Sequence, residues 1–277
     1  MRGRRVTGSP WTDLDRPPLR QAELERALVR PGGLWRSIDV VAETGSTNAD
    51  MAERARAGAP EGTVLTAELQ VSGRGRLDRT WFAPARSGLA VSVLLRPEGV
   101  PASRMGWIPL LTGVAAATAV RRHAEVEARL KWPNDVLIGE RKLAGILAEM
   151  VDGAVVVGIG LNVTLRSSEL PVPTATSLLL EDAVSTDRDP LLRLLLRELA
   201  EVYQRWRDFD GDAGASGLRG AYRELCATLG RRVRVQLPGR ETVAGEAVDV
   251  DETGRLVIQT PEGEDIAVNA GDIIHVR

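Results

Sequence analysis

Cysteine and histidine are nearly absent from this chain of 277 residues. The single cysteine, Cys226, permits no intrachain disulfide, which fits a reducing compartment and leads to the expectation of a cytoplasmic protein. One cysteine and two histidines also exclude a Cys-based or His-rich metal site. A Ser-His-Asp triad could use only His123 or His275. The first follows Arg121-Arg122 at an apparent helix end and the second lies in the last strand pattern, so both read as structural or exposed. No apolar run approaches the length of a membrane span. The richest, 191–197, is broken by Arg193 and Arg197 at helical spacing. The basic start, Met1-Arg2-Gly3-Arg4-Arg5, lacks the apolar stretch of a secretory signal. A formal net charge of −2 argues against non-specific nucleic-acid binding. Neither Gly-x-x-x-x-Gly-Lys-Ser/Thr nor Gly-x-Gly-x-x-Gly occurs, so nucleotide use would not follow those templates. Chemistry must then rest on Lys, Arg, Asp, Asn and backbone groups.

What is present divides the chain in three. Residues 1–34 read as an N-terminal tail, polar and proline-bearing to residue 18, with one short helix possible over 19–30. From 35 to 228 strand and helix patterns intermix. Strands are expected near 38–42, 63–68, 89–95, 136–138, 142–150 and 154–163, and helices near 49–57, 108–122 and 218–228. A long helix is expected from Asp189-Pro190 to about Phe209, with Asp189 as N-cap. From 229 to 277 five short alternating runs, separated by Pro-Gly, Thr-Gly and Glu-Gly turns, read as a small antiparallel barrel.

Five segments carry candidate chemistry. Gly73-Arg74-Gly75-Arg76, followed by Arg79 and Trp81, sets guanidinium forks on a glycine-freed backbone. It reads either as a solvated basic loop or as a clamp for an anion. Glu43-Thr44-Gly45-Ser46-Thr47-Asn48 precedes a helix, where the Thr47/Asp50 spacing fits a capping box and the same polar groups could hold a ligand. Lys131-Trp132-Pro133-Asn134-Asp135 brings a lysine, an amide and a carboxylate to one tight turn. In Lys142–Glu149, strict alternation places Lys142 on one strand face with Ala144, Ile146 and Ala148. In Gly158-Ile159-Gly160-Leu161-Asn162, alternate glycines leave one face empty for a flat ligand, with Asn162 on that face.

In this order and combination, together with Gln70, the segments resemble the biotin protein ligase family, in wording close to its actinobacterial branch. The resemblance runs from about Val40 to Leu178 and resumes in the C-terminal strands. It implies an α+β fold: a mixed β-sheet flanked by helices, like the catalytic domain of class II aminoacyl-tRNA synthetases and biotin ligases, followed by an SH3-like β-barrel. It also implies two steps, formation of biotinyl-5′-AMP from biotin and MgATP, then transfer to a lysine of the biotin acceptor domain of an acyl-CoA carboxylase. By the same resemblance Lys142, Arg74 and Asp135 are catalytic. Ser46, Thr47, Asn48, Gln70, Arg74, Gly75, Arg76, Lys142, Gly145, Gly158 and Gly160 bind biotin. Arg76, Arg79, Trp81, Lys131, Asn134, Lys142 and Asn162 bind ATP or the adenylate, and Mg²⁺ arrives with ATP rather than on a side-chain cluster.

One departure stands out. After the second arginine the family often has an X-Gly pair, where this chain has Leu77-Asp78. Two other functions fit parts of the pattern. A lipoate or octanoate transferring enzyme shares the fold but usually lacks the Gly-Arg-Gly-Arg loop and the C-terminal barrel. A biotin-sensing repressor would carry a winged helix, for which the 34 residues before the first strand are too few, so no DNA and no membrane partner is expected.

Overall fold

The computed structural model describes residues 16–77, 79–236, 242–269 and 272–275. A seven-stranded sheet runs in the order β1-β2-β5-β9-β8-β7-β6. Its strands are β1 (Ser37–Val41), β2 (Thr63–Ala67), β5 (Gly88–Leu95), β6 (Ala128–Lys131), β7 (Asp135–Ile138), β8 (Arg141–Val151) and β9 (Ala154–Asn162). Only β1 and β2 pair in parallel; each other neighbouring pair is antiparallel. The Gly139-Glu140 and Asp152-Gly153 turns make the β7-β8 and β8-β9 hairpins, with Gly139, Asp152 and Gly153 at positive φ. A two-stranded ribbon, β3 (Gly73–Arg74) with β4 (Thr80–Trp81), frames the arginine loop.

Side-chain alternation assigns each face of the sheet. On β9, Val155, Val157, Ile159 and Leu161 join the large core beneath helices α1 (Gln21–Leu28), α3 (Trp107–Ala124), α4 (Arg188–Asp208) and α5 (Leu218–Leu225). Ala154 and Val156 join a smaller cluster with Met51 and Ala55 of α2 (Thr47–Arg56) on the opposite face. Helix α2 covers only part of that face. Beyond its N-terminus the same strand parity continues as Gly158, Gly160 and Asn162, where apolar bulk gives way to a trough.

Two helix starts differ from expectation. The N-cap of α4 is Asp187, whose carboxylate accepts from the Asp189 N–H, so Pro190 falls in the first turn rather than at its first position. At α2 the Thr47/Asp50 capping box does not form. Ser46 is the N-cap, the Gln70 carboxamide oxygen accepts from Thr47 N (2.8 Å) and Oγ1 (3.0 Å), and Asp50 accepts instead from the Thr44 hydroxyl.

Of the stretch 1–18 expected to be disordered or loosely docked, residues 1–15 lie outside the described residues and 16–18 are tied down, while the short helix expected over 19–30 is α1. Leu19, Leu24 and Leu28 are buried in the main core. The Arg16 guanidinium binds Glu169 (2.5 Å) and the Thr164 carbonyl (2.7 Å). Arg188, buried beside Glu68 at 2.7 Å, donates to the Pro17 carbonyl. Cations buried with such partners fix a chain segment in place.

The C-terminal strands β10 (Arg232–Gln236), β11 (Val243–Val250), β12 (Leu256–Gln259), β13 (Asp265–Val268) and β14 (Asp272–His275) form an antiparallel sheet in the order β13-β12-β11-β10-β14. The five expected strands are present as an antiparallel sheet, and among the described residues no β13-β14 pairing closes it into the expected barrel. The expected Pro-Gly turn between β10 and β11 lies outside the described residues. Val233, Val235, Ala247, Val250, Leu256 and Ile258 belong to the same buried cluster as the large sheet, so one core runs through both parts. The turn 251–255 is pinned by two indoles: Trp107 donates to Glu252 O (2.9 Å) and Trp132 to Gly254 O (3.0 Å). No helix of the described residues is long and apolar enough to cross a membrane.

Candidate active site

Sheet register lays small residues in rows across the uncovered face. Ala90, Gly160, Gly145 and Asp135 stand opposite one another on β5, β9, β8 and β7, and Lys131 on β6 is opposite Asp135. One row deeper come Ser92, Gly158 and Leu147. Directly opposed residues share a face, so the rows, apart from Ser92, make the floor of a cavity of about 730 Å³. Its walls include Ser46, Thr47, Asn48 and Gln70 on one side, and Arg74, Gly75, Arg76, Arg79 and Trp81 on another. Asn134, Lys142 and Asn162 line it as well, so every site residue expected from the sequence reaches one cavity.

Lys142 reaches it by a route that alternation did not predict. Val136 pairs with Ala144 while Leu137 pairs with Lys142, so Leu143 is an extra residue in β8. This bulge moves Lys142 off the face of Ala144 and Ile146, which lie in the main core, and onto the face of Gly145. Its ammonium stands 2.6 Å from Asp135 Oδ1 and 5.9 Å from the centre of the Trp81 ring. Segment 174–176 locks its backbone: Lys142 N donates to Thr174 O, and Thr176 N donates to Lys142 O, both at 2.8 Å. Behind Asp135, burial first, then Cys226 and the Asp135 carboxylate, push the Tyr222 hydroxyl well above its ordinary pKa, so it stays neutral.

The glycine face is not empty, contrary to the expectation from spacing. A Cβ at Gly158 would meet Asn48 Oδ1 at 2.2 Å, and one at Gly160 would meet the Trp81 ring at 2.4 Å. The glycines therefore admit an amide and an indole. Asn48, 4% exposed, donates through Nδ2 to Glu149 Oε2 (2.7 Å) and Leu147 O (3.3 Å), and its oxygen lies 2.7 Å from Ser92 Oγ. Ser92 also lies 2.8 Å from Thr47 Oγ1. Thr47, Asn48 and Gln70 thus form one polar group on the cavity wall, braced by Ser92 and Glu149, which do not line it.

The other amides are similarly engaged. Asn134 accepts from Arg76 (2.8 Å) and donates to Ile146 O (3.0 Å), while Asn162 donates to Thr176 O (2.9 Å). Gly73 is required where the ribbon crosses Gln70, because a Cβ there would lie 2.5 Å from Trp81 O and 2.8 Å from Gln70 Nε2. Leu77 adopts φ +54°, a left-handed conformation that glycine takes without cost and leucine does not. Asp78, the other half of the departure noted in the sequence, lies outside the described residues.

His123 sits at the end of α3 with Nε2 2.9 Å from Ser185 Oγ, and burial lowers its pKa. It does not line the cavity. Sequence reasoning gave no role to Phe82, to the wall formed by Pro171, Val172, Thr174 and Ala175, or to Leu147 within the Lys142–Glu149 segment; nor did it give one to Ser92 and Glu149, which bond to Asn48. Among the described residues no three His, Cys, Asp or Glu side chains cluster in a way that could hold a metal.

Comparisons with known proteins agree on one lineage. Residues 41–165 match the biotin/lipoate A/B protein ligase family, and residues 228–276 match the biotin protein ligase C-terminal domain. A biotin–[acetyl-CoA-carboxylase] ligase of Mycobacterium tuberculosis is 45% identical over 96% of this chain and 100% of its own length. The bifunctional ligase/repressor BirA of Bacillus spizizenii is 32% identical over 81% of this chain and 69% of its own. The structure of Aquifex aeolicus biotin protein ligase in complex with biotin and ATP superposes with a TM-score of 0.74, at 29% identity, covering 88% of this chain and 100% of that one. With both domains matched and nearly full-length identity to a curated ligase, the chain belongs to the biotin protein ligase family.

Proposed function

We propose that this chain joins biotin to ATP as biotinyl-5′-AMP and passes the biotinyl group to a lysine on the biotin acceptor domain of an acyl-CoA carboxylase. The observation that carries the reading is the Lys142–Asp135 pair on a glycine-floored cavity that also receives Arg74 and Arg76. The braced polar end around Thr47, Asn48, Ser92 and Gln70 suits a compact ureido group, which presents two donors and one acceptor. The valeryl carboxylate then points toward the cations.

In the first step a carboxylate oxygen attacks the α-phosphorus, the bond to the β-phosphate oxygen breaks, and pyrophosphate leaves with its magnesium. Two anions meet there, so preorganised positive charge is the main requirement. Arg74, Arg76 and Lys142 supply it. Lys131 adds charge from the neighbouring strand, and Trp81 offers a flat surface for the ligand. In the second step the acceptor amine attacks the acyl carbon and AMP leaves. Once Lys142 turns to the ligand's anionic oxygens, Asp135 is released to orient the incoming amine and accept its proton.

Asp135→Ala is therefore expected to slow transfer more than adenylation. Single-turnover transfer from premade biotinyl-AMP measures this directly, and normal transfer by the variant would remove Asp135 from the second step. Arg74→Gly is expected to release adenylate, so that lysines on bystander proteins become labelled. Unchanged labelling selectivity in a mixed-protein assay would show that the loop does not retain the intermediate. A lipoate-transferring reading is also covered by the name of the catalytic-domain family. The biotin reading is favoured by the match of 228–276 to a biotin ligase C-terminal domain and by the mycobacterial relative.

A further inference from the structure

Beyond the Ala144–Leu161 pair, β9 no longer accompanies β8. Segment 174–176 takes its place: Ala175 bridges in parallel to Lys142, through the two main-chain bonds described above. Lys142 therefore lies between Leu137 of β7 on one side and Ala175 on the other. This is the stretch of β8 that carries the extra residue Leu143. A bulge disrupts its own ladder, so the face that Lys142 presents depends on what holds its other edge.

That holding segment is itself anchored from outside the cavity. Thr176 is fully buried. Its hydroxyl donates to Glu181 Oε1, and its carbonyl accepts from Asn162 Nδ2 at 2.9 Å. Glu181 ends the short 3-10 turn Leu179–Glu181, with its side chain 10% exposed. Its second oxygen accepts from Arg141 Nη2 at 2.8 Å. Arg141 is the residue before Lys142, so one carboxylate ties together Thr176 in the segment and Arg141 in the strand. Hydrogen bonds to a charged acceptor are the stronger kind. Arg141, Thr176 and Glu181 do not line the cavity.

We infer that Glu181 is a positioning residue: through Thr176 and Arg141 it keeps segment 174–176 against β8 and so holds Lys142 on the cavity face. This rests on the adenylation reading above, in which Lys142 meets the developing charge. Glu181 itself touches no substrate. It fixes where an ammonium stands, and small misplacements of such a group are costly. Freed from the clamp, the strand can relax its bulge, and a one-residue slip of register turns a side chain to the other face.

The test uses the full chain with Glu181→Ala, Glu181→Gln and Thr176→Val, each alone and combined with Lys142→Ala. Glu181→Ala should lower kcat for biotinyl-AMP formation by about 10- to 100-fold, while KM for biotin and KM for ATP change little. Glu181→Gln keeps an oxygen for the Thr176 hydroxyl and should recover most of that rate. Thr176→Val removes the hydroxyl and should lose a comparable share of kcat; it carries the same test if Glu181→Ala does not fold. In the Lys142→Ala background neither Glu181→Ala nor Thr176→Val should cost anything further, because groups that act as a unit are not additive. An equal fold-loss in both backgrounds would make Glu181 a general brace and overturn the assignment. So would an unchanged kcat in Glu181→Ala, or a Glu181→Gln variant as slow as Glu181→Ala. Amide hydrogen exchange tests the clamp without the reaction. The Lys142 and Thr176 N–H groups should exchange about tenfold faster in Glu181→Ala, with Ile159 in β9 unaffected. Unchanged exchange at those two amides would overturn the clamp, whereas a wild-type protein that formed no biotinyl-AMP would overturn the functional reading alone.

Discussion

Lys142→Ala is expected to reduce adenylate formation by about 100- to 1000-fold, the usual consequence of removing one preorganised group from developing charge. Three observations place the effect on catalysis rather than folding. The ammonium is on the cavity side of β8, about a third exposed and paired with Asp135 at 2.6 Å. The backbone of Lys142 is held by Thr174 and Thr176 through main-chain bonds that alanine keeps. The neighbouring core residues, Leu143 and Ala144, are untouched. The thermal midpoint should therefore move little while biotin-dependent pyrophosphate release collapses. Transfer from premade biotinyl-AMP should fall too, because Asp135 loses its partner and the anhydride loses a cation. Near-normal pyrophosphate release by the variant would remove Lys142 from the mechanism.

Gly158→Ala is expected to be the most damaging single-methyl change in the cavity. The new Cβ would lie 2.2 Å from Asn48 Oδ1, and Asn48 is held from other sides by Ser92, Leu147 and Glu149. Overpacking at a held position costs about 1–3 kcal/mol. Here the displaced group belongs to the network proposed above to face biotin, so KM for biotin should rise by about 10- to 100-fold, with a smaller change in KM for ATP. Gly160→Ala makes a contact nearly as close, at 2.4 Å, but with the Trp81 indole on the short β4 strand. That ring can swing aside where the braced amide cannot, so Gly160→Ala should be milder. Steady-state titration of biotin separates the two. Equal effects would mean that Asn48 is not rigidly held.

Much of this site could be read before the fold was known, because its residues sit in short local segments. The Gly158/Gly160 spacing marked a strand face without bulk, and the Lys131–Asp135 and Gly73–Trp81 segments concentrated charge that a plain turn does not need. What occupies the glycine face was not legible. Asn48 and Trp81 reach Gly158 and Gly160 across sequence separations that no local pattern encodes. Ser92 escaped notice for the same reason, as one polar residue in an otherwise apolar strand, and Glu149, though inside the Lys142–Glu149 segment, was given no role. Their meaning depends on register, Ser92 opposite Gly158 and Glu149 one parity step from Leu147.

The face of Lys142 was misread for a different reason. Alternation assumes an unbroken ladder, and the extra residue at Leu143 appears only when β7 and β8 are paired. The loop that looked like either a solvated run or a clamp lies on the cavity wall, with Arg76 tied to Asn134. Its Leu77, at positive φ, holds a strained conformation just before Asp78, the position at which the family's X-Gly pair has its glycine.

The most direct measurement is the intact mass of a purified biotin acceptor domain after incubation with this protein, biotin and MgATP, beside a parallel tube containing lipoate. The account predicts an acceptor heavier by one biotinyl group, with AMP and pyrophosphate released in equal amounts and the lipoate tube unchanged. An acceptor that stays unmodified with biotin, or gains lipoyl instead, would contradict it.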